Sequence, residues 1–170
     1  GVYRRELGFA DDHVVFFSPR SYTQPYYNID TVIAAAARVH AREPRARFLF
    51  AGYEGDPAPF ERLVAEAGLA EVARVVGRIP HDQFATAINA GDVFISVPSV
   101  DATAVSLLEA MSCGRAVIVS SLASAMEWVR DGETGRVVAP RDEEQLAAAM
   151  LAYAGDPAQR RAHGDRALEL

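Results

Sequence analysis

Lysine is absent from this sequence: all 17 of its basic residues are arginine. This removes the phosphate loop whose lysine reaches the terminal phosphates of a nucleotide, and it removes Schiff-base chemistry on a lysine amine. Cysteine occurs once, at Cys113, which excludes a disulfide framework and a clustered thiolate metal site and fits a reducing compartment. The four histidines, His13, His40, His81 and His163, lack the mutual spacing of metal ligands. No apolar run reaches the ~18 residues that a membrane span requires. The 23 acidic residues leave a net charge of -6, and the arginines form no basic run, so nucleic acid is not an expected partner.

What remains is a chain of 170 residues, 50% hydrophobic and 24% charged. That composition is globular, and a chain near ~150 residues hides roughly 70% of its unfolded surface, enough for one domain with a real core. It opens at Gly1 and carries no signal peptide, which reads as a piece of a longer protein. Short continuous apolar runs at 13–19, 46–53, 72–78, 92–98, 115–121 and 136–139 read as buried strands. Helical patterns fall between them at 29–42, 59–69, 81–91, 105–114 and 124–131, and two further helices close the chain. The alternation predicts an α/β fold, a Rossmann-like parallel sheet of about six strands with helices on both faces. Gly91 and Gly114 sit where helices stop, and Asp142 before Glu143 and Glu144 reads as a helix N-cap with an acidic first turn. Two irregular stretches, 19–28 and 53–59, follow strands. Ligands of open parallel sheets lie outside the carboxyl ends of the strands, so both loops are candidates for contact.

The first strand-to-helix turn reads Ser18-Pro19-Arg20-Ser21-Tyr22, not Gly-x-Gly-x-x-Gly, which disfavours nicotinamide or flavin binding of the usual kind. A phosphorylation receiver domain would need a lysine that the chain lacks. The most informative stretch runs from Pro98 to Ile118. Asp101 lies just past a strand, and Glu109 sits eight residues on, inside a helix that begins near Ala104. The free amides and positive dipole end of that helix face the same mouth as Asp101, Thr103 and Ser106, an arrangement that suits a diphosphate. Two carboxylates beside such a site do not bind phosphate; they suit acceptance of hydrogen bonds from sugar hydroxyls.

At these residues the sequence resembles the donor-binding half of the family 4 retaining glycosyltransferases of the GT-B fold. The family's Glu, seven residues and second Glu, followed by Ala-Met and a Gly, reads here as Asp101 through Glu109, Ala110, Met111 and Gly114. Phe50-Ala51-Gly52, Val76-Gly77-Arg78-Ile79-Pro80, Ala90-Gly91-Asp92-Val93-Phe94 and the segment from Glu127 to Gly135 match further family pieces in order. The resemblance implies that Glu109 accepts from the ribose hydroxyls and that Asp101 holds a hydroxyl of the transferred sugar. It further implies that Arg78 and Ile79 meet the base through backbone groups, that Thr103, Ala104, Val105 and Ser106 cradle the diphosphate, and that Arg20 neutralises the leaving group. The sequence departs from the pattern at three places: Asp101 replaces a Glu, Ala102 and Ala104 replace glycines, and Tyr27 or Asn28 stands where the family has a Lys.

Plainer roles stand beside these. Asp101, Thr103 and Ser106 suit helix capping; Arg20 and Glu109 suit a solvated surface; Glu127 suits an ion pair or cap; Cys113 suits a small core position. His81 reads as a helix start, and Tyr26 and Tyr27 as lining for the donor loop or as packing aromatics. Residues 156–170 read as a solvated helix face, which in the family packs toward the partner domain. Taken together, residues 1–170 read as one nucleotide-sugar-binding domain, the C-terminal half of a cytoplasmic hexosyltransferase. It uses a UDP- or GDP-sugar, no cofactor and no metal, and its expected partner is an N-terminal acceptor-binding domain through which it could touch a membrane surface. The alternatives are a non-catalytic nucleotide-sugar-binding or regulatory module of the same fold, and a phosphosugar enzyme active in this fragment alone.

Overall fold

The computed structural model describes residues 1–102 and 104–170. Thr103 lies outside the described residues. Six strands, β1 (Val14–Ser18), β2 (Ala46–Tyr53), β3 (Ala73–Gly77), β4 (Val93–Ser96), β5 (Ala116–Ser120) and β6 (Arg136–Val138), form one parallel sheet in the order β3-β2-β1-β4-β5-β6. The helices are α1 (Val2–Glu6), α2 (Ile29–Arg42), α3 (Ala58–Glu66), α4 (His81–Ala90), α5 (Val105–Ser112), α6 (Ala123–Met126), α7 (Glu143–Gly155) and α8 (Pro157–Leu168), with a 3-10 turn at Pro25–Tyr27. This is the doubly wound Rossmann-like arrangement, and the strand order reverses between β1 and β4.

The period of two along each strand decides which helices cover which face. Val14 and Phe16 of β1 point with Phe48 and Phe50 of β2 toward α2, α3 and α7, where Val32, Phe60 and Tyr153 close the core. Val15 and Phe17 point the other way, with Leu49 and Phe94, onto Ile88 of α4, Leu107 and Met111 of α5 and Ala167 of α8. Both faces are thus apolar, which explains why the strands read as unbroken hydrophobic runs. α7 begins as its sequence predicts: the Asp142 carboxylate accepts from the Gln145 amide at 2.9 Å.

Two elements differ from the sequence expectation. α1 was not foreseen; it is pinned by Arg4, which is buried, donates to the Ala90 carbonyl at 3.2 Å and pairs with Asp92 at 3.0 Å. The same Asp92 oxygen accepts from the Val15 amide at 2.8 Å, so one carboxylate ties α1 to the entry of β1. The helix expected at 124–131 stops at Met126. Beyond it the Thr134 hydroxyl takes the Arg130 amide at 2.9 Å and Gly132 donates to Gly135, folding the segment into a turn that leads to β6. The terminal helix α8 lays Gly164, His163 and Ala167 on this domain's own α5, β5 and α7, with its other face open. Among the described residues no helix is long and apolar enough to cross a membrane.

Candidate functional site

The crevice outside the carboxyl ends of β1 and β4, where the strand order reverses, is built from two loops. One follows β1 and carries Arg20 to Asn28; the other follows β4 and carries Val97 to Ala104. They are tied together by Asn28, which is fully buried and adopts a left-handed backbone (φ 53°). Its side-chain amide donates to the Val97 carbonyl at 2.8 Å and to the Ser99 hydroxyl at 2.9 Å, and the Ser99 amide donates to Tyr26 oxygen at 2.8 Å. Ser120 Oγ at the end of β5 holds the Pro98 carbonyl at 2.6 Å, and Ser124 of α6 donates to the Asp101 carbonyl at 3.2 Å. From the β2 side, Gly52 (φ 91°) lies so close that a Cβ there would sit 2.8 Å from the Pro19 carbonyl oxygen. The backbone of the mouth is therefore held from three directions before any ligand arrives.

Arg20 and Asp101 meet inside this mouth. Arg20 Nη2 donates to Asp101 Oδ2 at 2.7 Å, Nε donates to the Ser96 hydroxyl at 3.1 Å, and the guanidinium lies over the Tyr27 ring, 4.9 Å from its centroid. Both side chains of the pair are about four-fifths buried. Next to them α5 begins at Ala104 (φ -76°), an N-cap whose methyl supplies no acceptor. An alanine at this position forgoes the ~1 kcal/mol that a side-chain cap supplies, and among the described residues no side chain caps the first amides. Asp101 does not serve as that cap. The backbone at Ala104 shows that alanine is tolerated here without a left-handed conformation; among the described residues Asn28 and Arg141 are the non-glycine residues with positive φ. Val105 is exposed and Ser106 half-buried at the start of the helix.

Glu109 lies one turn further along α5, partly buried, with Oε1 3.5 Å from His81 Nδ1. His81 opens α4 directly after Pro80, so the turn at Arg78 and Ile79 sits beside the Glu109 carboxylate. The Ile79 side chain is partly buried against the core formed by the sheet, α4 and α5, whereas Arg78 points outward and pairs loosely with Glu54 at 3.4 Å, both exposed. A groove of about 450 Å³ runs from Arg78, Ile79 and Pro80 along α4 to Val2 and Tyr3 of α1. Arg20 and Asp101 thus meet directly, Asp101 and Ala104 line one small pocket, and Val105 and Ser106 follow Ala104 in the first turn of α5, while Arg78 and Ile79 shortly precede His81, the residue that approaches Glu109. Glu127 is exposed after α6 and has no ion pair among the described residues. Sequence reasoning set His81 at a helix start, where the structure has it, but missed its approach to Glu109, and it missed Ser96 and the tying role of Asn28. A histidine heading a helix at a strand's carboxyl end was a usable signal for the first; the other two act through contacts about 70 residues apart in sequence that no local pattern announces.

Such an arrangement offers an anion the open start of α5 and one guanidinium, and offers hydroxyl donors two carboxylates a helix turn or more apart. The family sequence model described as glycosyl transferases group 1 matches residues 2–169, almost the whole chain. The chain belongs to the group 1 glycosyl transferases. A D-inositol 3-phosphate glycosyltransferase of Kribbella flavida is 31% identical over 177 residues, covering 98% of this chain and 41% of the relative. The HepE protein of Anabaena, solved in complex with UDP-glucose, superposes with a TM-score of 0.87 at 20% identity, covering 99% of this chain and 46% of that one. The C-terminal domain of the group 1 glycosyl transferase LpcC from Francisella tularensis superposes with a TM-score of 0.83 at 19% identity, covering 97% of this chain and 87% of that one. This glycosyl transferase chain spans less than half the length of the curated relative.

Proposed function

We propose that this chain is the donor-binding domain of a two-domain retaining hexosyltransferase, cytoplasmic in location, whose substrate is a UDP- or GDP-sugar. The observation that carries the reading is the buried Arg20–Asp101 pair beside the start of α5, whose N-cap Ala104 makes no side-chain cap bond, at the crevice where the strand order reverses. In this reading the diphosphate rests on the amides of Ala104, Val105 and Ser106, and Arg20 takes charge as the sugar–phosphate bond breaks. Charge developing on a leaving diphosphate is the costly part of the reaction, and prearranged donors are worth most there. Glu109 accepts from the ribose hydroxyls, Asp101 from a hydroxyl of the sugar, and the base lies at Arg78 and Ile79 over the mouth of the groove beside α4. The bound UDP-glucose of HepE, on the same fold, supports a sugar nucleotide as the ligand class. The match in extent to an isolated C-terminal domain, that of LpcC, supports a separate acceptor-binding domain in the full-length protein. We propose no cofactor and no metal requirement.

The lack of lysine and the cancellation of Arg20 by Asp101 favour one competing reading, a binding or regulatory module that retains the donor without transferring it. The test is an assay of the full-length protein with UDP-glucose and GDP-mannose, the anomeric configuration of the product read by NMR. The donor-domain reading expects transfer with retention, and expects the 170-residue chain alone to bind donor and transfer nothing. Donor binding without transfer by the full-length protein supports the module. Transfer by the 170-residue chain alone contradicts both.

A further inference from the structure

At the opposite end of the sheet from the crevice, segments distant in sequence bring arginines to one place. Arg115 follows the end of α5, and Arg160 and Arg161 stand near the start of α8. Together with Asp92 and Asp165 they line a polar pocket of about 380 Å³ at the amino ends of β4 and β5. Part of their donor capacity closes helix ends: Arg115 Nε donates to the Cys113 carbonyl at 3.2 Å and Nη1 to the Gly91 carbonyl at 3.3 Å, and Arg160 Nη1 donates to the Tyr153 carbonyl at 2.6 Å. That leaves Arg160 Nε and Nη2, an adjacent pair in the rigid fork, without a partner among the described residues. Arg115 Nη2 and the whole Arg161 guanidinium are left in the same state, so helix capping does not account for Arg161. Asp92 Oδ2 is already taken by Arg4 at 3.0 Å and by the Val15 amide at 2.8 Å. Three guanidiniums therefore face two carboxylates, one of them neutralised from behind, in a chain whose net charge is -6. Burial first, with the charges of Arg4, Arg161 and Arg45, holds the half-buried Arg160 below the usual arginine range against the opposing pull of Asp92.

We propose that this pocket is a second ligand site, separate from the donor crevice, for a soluble phosphate monoester that carries hydroxyl groups, a sugar or polyol phosphate. The phosphate takes the Nε and Nη2 edge of Arg160 in bidentate fashion, and Arg161 and Arg115 Nη2 supply its further donors. Asp92 Oδ1 and the Asp165 carboxylate form no hydrogen bond among the described residues and share the pocket wall. They repel a second anionic group and accept from hydroxyls, which makes them the part of the site that reads the body of the ligand. The pocket is larger than inorganic phosphate and leaves room for that body. α5 runs from the donor crevice at Ala104 to this pocket at Gly114, so the two sites lie at opposite ends of one helix and share no residue.

The experiment is calorimetric titration of the full-length protein with glucose 6-phosphate, inorganic phosphate and glucose, in wild type, Arg161→Gln, Arg160→Lys, Asp165→Ala and Arg20→Gln, with circular dichroism confirming that each variant is folded. Wild type is expected to bind glucose 6-phosphate saturably and more tightly than inorganic phosphate, and not to bind glucose. Arg161→Gln, which removes a charge, and Arg160→Lys, which keeps the charge and removes the fork, should each weaken the ester about tenfold, the scale of one lost charge-assisted hydrogen bond. Asp165→Ala should abolish the preference for the ester without weakening inorganic phosphate. Arg20→Gln should leave the titration unchanged, because Arg20 lies at the far end of the sheet. No saturable binding of the ester overturns the proposal, as does an affinity that Arg161→Gln and Arg160→Lys leave intact. Loss of binding in Arg20→Gln overturns it by placing the anion in the donor crevice, and equal affinity for inorganic phosphate and the ester overturns it because nothing then reads the hydroxyls. Co-sedimentation with phosphatidylcholine vesicles containing phosphatidic acid, without binding of the free ester, overturns it in favour of a lipid headgroup.

Discussion

Asn28 shows how one side chain can hold a site that it never touches. It sits in the left-handed region, is fully buried, and satisfies a main-chain carbonyl and a hydroxyl on the facing loop. Replacing it with alanine strands the Val97 carbonyl in a buried place and puts a Cβ residue without a compensating side chain at positive φ. Each unsatisfied buried partner costs roughly 1–3 kcal/mol. Asn28→Ala is expected to lower the unfolding free energy by about 2 kcal/mol in urea denaturation and to weaken donor binding by loosening Tyr27 and Arg20. Unchanged stability would show that the loops are held by their backbone contacts alone. Asp101 and Glu109 stand out in the sequence by their spacing along one loop and one helix, and the roles expected of them come from the family resemblance. Ser96 and His81 do not, because their meeting with Arg20 and Glu109 is made by the sheet, which brings strands distant in sequence side by side.

The elements were readable to the extent that their burial is regular. β2 and α2 begin and end where the apolar pattern does, since β2 is buried over most of its length and α2 along one face. α6 was overestimated because a helical pattern through Val129 is overruled by side chain and backbone bonds from Thr134 and Gly135. α8 shows the opposite case: a polar, arginine-rich sequence whose docking rests on small residues. A Cβ on Gly164 would overlap the Gly114 carbonyl oxygen, so only glycine permits that approach. Beside it Tyr153 of α7 and His163 of α8 share a buried hydrogen bond of 2.7 Å. Desolvation, and then the charges of Arg166 and Arg136, push the His163 imidazolium below the usual histidine range. The folded state therefore favours neutral His163, and its contribution is complete above about pH 6.5 and lost as pH falls below that value. His13 is lowered too, first by burial and then by Arg47, and acts in the same direction. Thermal melts should give a constant Tm from pH 8 to 7 and a falling one from pH 6.5 to 5, with His163→Gln reducing that fall. A wild-type Tm that stays level across the lower range would contradict this.

At the scale of the whole molecule, the parallel sheet explains why the site lies where it does. Every crossover returns the chain to the same edge, so the starts of α4 and α5 and the loops after β1, β3 and β4 converge there. A chain with net charge -6 and no lysine can then offer an anion the end of a helix and a single arginine without a wider basic surface. The fold class was legible from alternating strands and helices; the pairing of Arg20 with Asp101 was not, because it depends on how two loops 81 residues apart close over one another. The most direct measurement of the central claim is calorimetric titration of UDP-glucose and GDP-mannose into wild type and Glu109→Ala. The donor-site account predicts saturable binding of one of the two by wild type and a loss of tenfold or more in Glu109→Ala with Tm unchanged. Equal affinity in the two proteins would contradict it, as would binding of neither ligand by wild type.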